Sequence, residues 1–287
     1  MGFKDLLKEK LSGTLSKKEL NLLPRGFQTL GTVIVLKLKN DLLKYKRLIA
    51  EACLELYPHM DSVYINLGKI KGKFREPENI EYILGKKNPI VEHKEHGVAF
   101  KFDITKIMFS KGNLRERIYL ANLVQKSEVI IDMFAGIGYF SLPIAINSEV
   151  KKIYSIELNP IAYRYLVENI KLNNVENIII PIQGDCKEIV VQLSDEGIKA
   201  DRVIMGVFPA PKEYIKDALS LVKENGTIYH YEGIVDKQEE DLLFQEFNEI
   251  AHSEGYLCEL KETRFVKSVG PNLFHATLDI KVIKSIK

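Results

Sequence analysis

Hydrophobic and polar positions follow two patterns along the chain, one typical of strands buried on both faces and one typical of amphipathic helices. Runs such as 129–131 and 203–205 are apolar without alternation, as parallel strands covered on both faces are. Segments such as 161–174 repeat apolar residues three and four apart, which indicates a helix with one buried face. These patterns alternate from about residue 128 to 235 and predict a mainly parallel sheet with helices on both faces.

The last part of the chain predicts a different ending for that sheet. We expect a helix over 211–225 and another over about 238–254, the second followed by two strands that meet near Gly270 and Pro271. Two strands joined by so short a loop form an antiparallel hairpin. The sequence therefore predicts a seven-stranded sheet that is parallel except at one edge.

The first hundred residues have another order of elements. Residues 1–20 place apolar side chains on one helical face and predict a short amphipathic lead-in. Residues 21–100 predict a small α+β domain, and residues 101–287 the larger α/β domain. Within the small domain, the patterns predict one strand opened by Gly31, one helix and two further strands, over 27–38, 41–58, 61–70 and 79–86, and a strand over 96–110 bridges the two domains.

A buried strand that ends at Asp132 runs into a turn with Gly136 and Gly138. Glycine lacks a Cβ, so both positions can take positive φ and let a flat ligand approach the backbone. The turn resembles the first motif of S-adenosylmethionine-dependent transferases. A dinucleotide fingerprint would have a third glycine where this chain has Ser141, which disfavours a nicotinamide site.

Glu157 ends the next predicted strand, where its carboxylate could accept hydrogen bonds from both hydroxyls of a ribose. Each piece has a plainer interpretation, because a glycine turn can be only a tight turn and a glutamate at a strand end can be only solvated. Together, in this order along the chain, they predict a nucleoside-binding site at the carboxyl ends of the parallel strands.

Composition adds limits to this picture. The chain has 287 residues, a formal net charge of +2 and three cysteines without a C-x-x-C spacing. The near balance of charge is uninformative about nucleic acid, and the cysteines predict neither a disulfide scaffold nor a metal site. No run approaches the ~18 apolar residues that span a membrane. We expect a soluble protein of the reducing cytoplasm.

A series of motifs beginning at Phe102 resembles, in order, the tRNA guanosine-37 N1-methyltransferases and their relatives of archaeal type, the wybutosine-synthesis aminocarboxypropyltransferases. The preceding segment, with LPRGF and GKIKGKFREP, resembles the small domain of the same proteins, so the likeness extends from about Leu22 to the end. The later motifs are FDITKIMFS, LRERIYLANLV, DMFAGIGYFSLPIA, IELNP, YLVENIKLNN, GD and DRVIMG. The resemblance implies a Rossmann-like class I transferase domain that uses S-adenosylmethionine and no metal.

Two departures from the methyltransferase pattern separate the branches of this family. Gly112 and Gly206 stand where methyltransferase members have an arginine and an asparagine. Members that transfer the 3-amino-3-carboxypropyl group look like this chain at both places, with Asn113 and an M-G pair. The resemblance implies transfer of that group to 4-demethylwyosine at position 37 of tRNA(Phe), with release of methylthioadenosine. We expect a monomer, although no sequence pattern indicates an oligomeric state. N1- or wyosine-type methylation is the alternative, and a tRNA-binding protein without turnover is a third hypothesis.

The resemblance also implies roles for individual residues. Ser110 and Arg117 would hold the methionine part of the cofactor, Arg117 through its carboxylate, unless Arg117 forms an ion pair with a helix neighbour. Asp185 and the backbone of Cys186 would meet adenine, unless Asp185 only caps a helix. Phe134, Ala135 and Gly136 would form the loop beneath the cofactor, with Gly138 in the same turn.

The acceptor side carries weaker candidates. Lys111 and Arg115 could bind tRNA phosphate or be solvated, and Phe208 and Pro209 could stack on a flipped base or form a rigid turn. His230 is a weak candidate for proton transfer, and a hydrogen-bonded core histidine is the more common outcome at such a position. No catalytic residue is otherwise indicated.

Overall fold

The computed structural model describes residues 1–72, 74–239 and 241–285, with the side chain of Lys111 outside the description. The chain forms two compact units. One contains Met1–Lys94 and Phe100–Phe109, and the other contains Glu95–Ala99 and Ser110–Lys287. Within the described ranges, no helix is both long and apolar enough to cross a membrane.

The smaller unit is an α+β structure around a four-stranded sheet. The sheet order is β1-β2-β3-β6, in which only β2 and β3 run parallel. Leu7 and Leu11, from the segment predicted as a lead-in, are buried in the core of this unit. The elements up to the division are α1 (Phe3–Leu11), α2 (Lys17–Leu22), β1 (Gln28–Leu30), β2 (Val33–Leu36), α3 (Lys46–Leu56), β3 (Ser62–Asn66), β4 (Ile70–Lys71), β5 (Glu76–Pro77), β6 (Ile80–Gly85), β7 (Ile90–Glu95) and β8 (Val98–Asp103).

Three predictions for this part of the chain were wrong in detail. The expected strand over 27–38 is a hairpin, because Gly31 takes a φ of +55° and turns the chain between β1 and β2. The first turn of the expected helix, Asn40–Tyr45, is a 3₁₀ helix. The last strand is shorter than predicted, and its hairpin partner β7 was missed.

The larger unit contains the predicted α/β sheet of seven strands. Its order is β11-β10-β9-β12-β13-β15-β14, with the first five strands parallel and β15 antiparallel to both of its neighbours, which confirms the fold class and the edge hairpin. Its elements are α4 (Leu114–Leu123), β9 (Val129–Asp132), α5 (Ser141–Asn147), β10 (Lys152–Glu157), α6 (Pro160–Leu172), β11 (Ile179–Gln183), α7 (Cys186–Asp195), β12 (Arg202–Met205), α8 (Ile215–Ala218), β13 (Thr227–Asp236), α9 (Leu242–Ser253), β14 (Tyr256–Gly270) and β15 (Leu273–Lys284).

Helix α7 was not predicted, and α8 is shorter than expected. Asp185 caps α7, and Val190 and Leu193 lie on its buried face. The helix is short, so its apolar period does not stand out in the sequence. The segment predicted as one helix over 211–225 is divided into α8 and two short 3₁₀ turns. Strand β13 is longer than expected because β15 pairs with its whole length.

The central strands β13 and β15 have two buried faces of different character. Tyr229, Tyr231 and Leu278 face an apolar core that also includes Phe247 of α9. The alternate positions are polar although they are equally buried. They are His230, Glu232, His275, Thr277 and Asp279. Buried polar groups must find partners, so this second face contains a side-chain network rather than a hydrocarbon core.

Candidate active site

The turn after β9 requires both of its predicted glycines. Gly136 has a φ of +58° and Gly138 a φ of +98°. A Cβ at Gly136 would lie 2.5 Å from the Tyr139 ring, and one at Gly138 would lie 2.7 Å from Leu142. Only glycine combines this backbone with this packing, so the chain passes close beneath the carboxyl end of the sheet.

Glu157 is held against that turn at the end of β10. Its Oε2 accepts a hydrogen bond of 2.7 Å from the Gly136 amide, and its Oε1 accepts one of 2.6 Å from the Asn159 amide. Burial raises the pKa of this carboxyl, and the two amides oppose the shift. Each carboxylate oxygen has two lone pairs, so both can still accept from a ligand. The arrangement fits the two hydroxyls of a ribose.

Asp132 connects three elements beneath the turn. Its Oδ2 accepts a hydrogen bond of 2.6 Å from Ser141 Oγ, which in turn accepts one of 2.7 Å from Ser155 Oγ. Asp132 is fully buried, and burial raises its pKa to about 7. The carboxyl therefore serves the packing of β9, α5 and β10, at the point where the turn begins.

The residues predicted to surround the adenine lie at the next strand end. Asp185 caps α7 by accepting from the Lys187 amide at 3.1 Å, as its plainer interpretation expects. Cys186 is the first residue of that helix and is buried, which raises the pKa of its thiol to about 12. Phe134 packs edge-on against Tyr214 at 5.1 Å, and Ala135 is buried in the turn.

Arg117 is buried on α4 and forms an ion pair. Its Nη1 donates to Glu95 Oε2 at 2.7 Å, and its Nη2 donates to the Ser110 carbonyl at 2.9 Å. The guanidinium also lies over the Tyr139 ring at 4.9 Å. The plainer alternative was an ion pair with a neighbour in the same helix, but the partner, Glu95, comes from strand β7. The position beside Tyr139 puts Arg117 next to the glycine turn.

Lys267 of β14 reaches the segment that precedes α4. Its Nζ donates to Asn113 Oδ1 at 2.8 Å and to Ser110 Oγ at 3.2 Å. A Cβ at Gly112 would lie 2.7 Å from Lys267 Cδ. A cation from a distant strand therefore occupies the space beside Gly112. Sequence reasoning missed Lys267 because nothing local connects it to this segment.

Gly206 follows β12 and lies in a narrow space. A Cβ there would be 2.9 Å from the Phe140 ring and 3.4 Å from Glu232 Cδ. Phe208, two residues on, packs edge-on against the His275 ring at 4.4 Å, and Pro209 after it is exposed. Glu232 and His275 were also missed, although polar residues alternate with apolar ones in both of their strands.

His230 belongs to a buried charge network. Its Nδ1 is bound to Asp279 at 2.5 Å and its Nε2 to Arg202 at 2.7 Å. Arg202 also donates to Glu128, and Arg264 joins Asp279 to Glu116. His230 lies near the start of β13, not at its end, and burial lowers its pKa. This is the hydrogen-bonded core histidine of the plainer interpretation, and the geometry gives no support for proton transfer.

The remaining candidates lie at the surface or outside the description. Arg115 is exposed at the start of α4. The side chain of Lys111 lies outside the described residues. In the part of the chain that the structure covers, no group of three or more His, Cys, Asp or Glu residues could hold a metal ion.

Comparison with known proteins gives consistent matches over almost the whole chain. The model of the TRM5/TYW2 methyltransferase domain matches residues 91–259, and that of the TYW2 N-terminal domain matches residues 7–88. The tRNA(Phe) (4-demethylwyosine(37)-C(7)) aminocarboxypropyltransferase of Pyrococcus horikoshii is 34% identical over 99% of both chains.

Two further comparisons place this match among solved structures and related enzymes. The crystal structure of P. horikoshii TYW2 in complex with MeSAdo covers 99% of this chain and 100% of its own, with a TM-score of 0.82 and 32% identity. The tRNA (guanine(37)-N(1))-methyltransferase Trm5b of Pyrococcus abyssi is 32% identical over 91% of this chain and 76% of its own.

Proposed function

The chain belongs to the TRM5/TYW2 methyltransferase family, and from this we propose that it transfers the 3-amino-3-carboxypropyl group of S-adenosylmethionine to 4-demethylwyosine at position 37 of tRNA(Phe). The acceptor atom is C7, and methylthioadenosine is released. The relative that supports this assignment is named an aminocarboxypropyltransferase and matches this chain over 99% of both chains. The cofactor supplies an electrophilic carbon next to a sulfonium, which needs no metal for its activation.

One observation supports this reaction over methyl transfer by the same fold. Position 206 has no side chain, and the space that one would fill is bounded by Phe140 and Glu232. Whichever carbon of the sulfonium is held in line with the acceptor reacts, so the shape of the pocket selects the group that is transferred. A Cβ at position 206 would lie 2.9 Å from the Phe140 ring, so a larger side chain would have to displace that ring or extend away from it. Its absence leaves the volume beyond for the bulkier amino-acid chain between the sheet and the acceptor base.

The residues of the glycine turn and the strand ends would hold the cofactor. Glu157 would accept from the ribose hydroxyls, and the turn from Phe134 to Gly138 would lie beneath the nucleoside. Asp185 and the Cys186 backbone would face the adenine edge. Ser110 and Arg117 would orient the methionine part, and the pair of Arg117 with Glu95 fixes the guanidinium for that task.

On the acceptor side, Asn113 and Gly206 would border the base, and Phe208 and Pro209 would stack against it outside the anticodon loop. Lys111 and Arg115 would bind phosphate, since phosphate contacts position a nucleic acid without reading its sequence. We further propose that the chain works as a monomer in the cytoplasm and that residues 21–100 form a domain that contacts the anticodon region.

The reaction is tested by following two labels in parallel. The protein is incubated with tRNA(Phe) carrying 4-demethylwyosine and with S-adenosylmethionine labelled either in its methyl carbon or in its carboxyl carbon. We expect carboxyl label in the tRNA, no methyl label, and one methylthioadenosine released for each group transferred. Methyl label in the tRNA would instead assign methylation, and tRNA that stays unlabelled in both incubations would contradict any transfer. The same tRNA with unmodified guanosine at position 37 is the control.

A further inference from the structure

A buried carboxylate and a buried imidazole lie beside Gly206. Glu232 on β13 is 2% exposed and His275 on β15 is 0% exposed. His275 Nε2 and Glu232 Oε2 are 3.1 Å apart. A Cβ built on Gly206 would lie 3.5 Å from the same Oε2 atom. The pair therefore borders the space in which the acceptor base is proposed to sit.

Strand register explains why these residues meet. Ile204 pairs with His230 in the parallel ladder, so Gly206, two residues on, lies next to Glu232 on the same face. Glu232 pairs with Thr277 in the antiparallel ladder, so His275 is its diagonal neighbour on that face. The contact of Glu232 with His275 is thus built into two adjacent strands, and Gly206 is the first residue after the strand beside them.

Other buried carboxylates on this face are already bound to arginine. Both oxygens of Glu116 accept from Arg264, and both oxygens of Asp279 accept from Arg264 or contact His230. Glu232, by contrast, is bound through Oε2 to His275, and no arginine pairs with it in the described part of the chain. His275 Nδ1 has no hydrogen-bond partner among the described residues. A buried polar group of this kind calls for an explanation, and a ligand supplies one.

The chemistry of the proposed function requires a proton acceptor at this place. The acceptor atom in the similar aminocarboxypropyltransferase is a ring carbon, C(7). As that carbon bonds to the γ-carbon of the transferred chain, the bond from the γ-carbon to sulfur breaks and its electron pair stays on sulfur. The ring carbon then still carries its hydrogen, so the group can return to methylthioadenosine until that proton leaves and the aromatic ring is restored. A base near the acceptor can take it.

We propose that Glu232 is the catalytic base that removes the C7 proton, with Oε1 as the receiving atom, and that His275 is the positioning residue that holds Oε2. This inference rests on the proposed function and adds the step that completes it. A carboxylate only accepts hydrogen bonds, so Nε2 of His275 donates to it and fixes its orientation. The protonated carboxyl returns its proton to water when the product leaves.

The first test replaces Glu232 by glutamine, which is close to it in size and keeps an oxygen for His275. We expect the single-turnover rate of carboxyl-label transfer to fall by roughly 10²- to 10⁴-fold, the usual contribution of a positioned base. Calorimetric affinities for S-adenosylmethionine and for tRNA should not change. Glu246→Gln is the matched control, because Glu246 accepts from Tyr231 on the opposite face of β13 at 2.9 Å. That variant should transfer at the rate of the unchanged protein.

A second test uses tRNA with deuterium at C7. Loss of the base makes proton removal the slow step, so the ratio of the rates for hydrogen and deuterium should be larger in Glu232→Gln than in the unchanged protein. For His275, replacement by alanine should slow transfer, and replacement by glutamine, which restores a donor toward Glu232, should recover part of the rate. A structural role alone would not give this recovery together with an unchanged cofactor affinity.

The outcomes separate the two proposals. If the unchanged protein transfers no carboxyl label, the proposed function is wrong. If it transfers the label and Glu232→Gln does so equally fast, or without a larger deuterium effect, the base is wrong and the function stands. Should Glu232→Gln fail to bind S-adenosylmethionine, Glu232→Asp is the deciding variant, because it keeps the negative charge and has a side chain that is one methylene shorter. Slow transfer with a larger deuterium effect in that variant supports the base, and the full rate overturns it.

Discussion

At the scale of single residues, the site depends on its glycines, where a side chain would collide with a neighbour, as much as on its polar side chains. The sequence predicted Gly136, Gly138 and Glu157 because their spacing along one strand, one turn and the next strand is local. It also marked Gly206 as a departure from the methyltransferase pattern. The neighbours that limit the space at Gly206 are Phe140 and Glu232. They come from other elements, so they could be identified only from the structure.

Replacement of Gly206 by asparagine should therefore impair chain transfer by crowding. Its Cβ alone would lie 2.9 Å from the buried Phe140 ring, and the amide would extend further toward the acceptor. We expect at least about a tenfold loss of the transfer rate, which corresponds to about 1.4 kcal/mol at the transition state. Cofactor affinity, measured by calorimetry, should change less.

Gly206→Ala is the graded control for this prediction. Its transfer rate should fall between those of the unchanged protein and Gly206→Asn. Its small side chain meets the same ring without reaching the acceptor. Full carboxyl-label transfer by the asparagine variant would contradict the steric argument for group selection. A switch to methyl label in that variant would support it most directly.

At the scale of elements, polar alternation was the signal that sequence reasoning did not use. Strands β13 and β15 each alternate polar and apolar residues, a pattern typical of a sheet with one face in water. Both faces are buried here, so the polar positions, Glu232 and His275 among them, form a network instead. The pairing that brings them together joins residues 43 apart in the chain and depends on the tertiary fold. The ion pair of Arg117 with Glu95 was missed for a similar reason, since β7 was not predicted.

The buried Asp132 ties three elements together, and its titration should be visible in the stability of the fold. Burial raises its pKa from 3.8 to about 7, so between these values the folded protein holds a proton that the unfolded chain has lost. The free energy of unfolding therefore falls as the pH rises through this window, by at most about 1.4 kcal/mol per pH unit for one proton. Asp132→Asn cannot titrate and should lack this contribution.

The measurement is urea unfolding of both proteins between pH 4 and pH 8. The difference in unfolding free energy between the unchanged protein and Asp132→Asn should decrease up to about pH 7 and then level off. Ser141→Ala, which keeps the carboxyl and loses its hydrogen-bond donor, should retain the slope at a lower overall stability. A difference that stays constant with pH would show that Asp132 is ionised throughout.

At the scale of the whole molecule, the two units have separate hydrophobic cores, and all residues proposed to hold the cofactor lie in the larger one. The change in element order near residue 100 led us to predict a domain boundary there. The structure gives the larger unit Glu95–Ala99, which supply the partner of Arg117, and gives the smaller unit Phe100–Phe109. No local pattern could predict that exchange, because it depends on tertiary contacts within each unit.

Because a ligand stabilises the structure that binds it, S-adenosylmethionine should protect the larger unit selectively against hydrogen exchange. At a concentration of 100 times the dissociation constant, binding adds about 2.7 kcal/mol, so amides of β9 and β10 that exchange only by unfolding of this unit should slow about 100-fold. Strands β2 and β3 of the smaller unit serve as the internal reference and should exchange at unchanged rates.

Glu157→Gln, which loses the charge that would accept the ribose hydroxyls, should need a much higher cofactor concentration for the same protection. Equal protection of both units would mean that they unfold as one, and protection unaffected by Glu157→Gln would remove this carboxylate from the cofactor site.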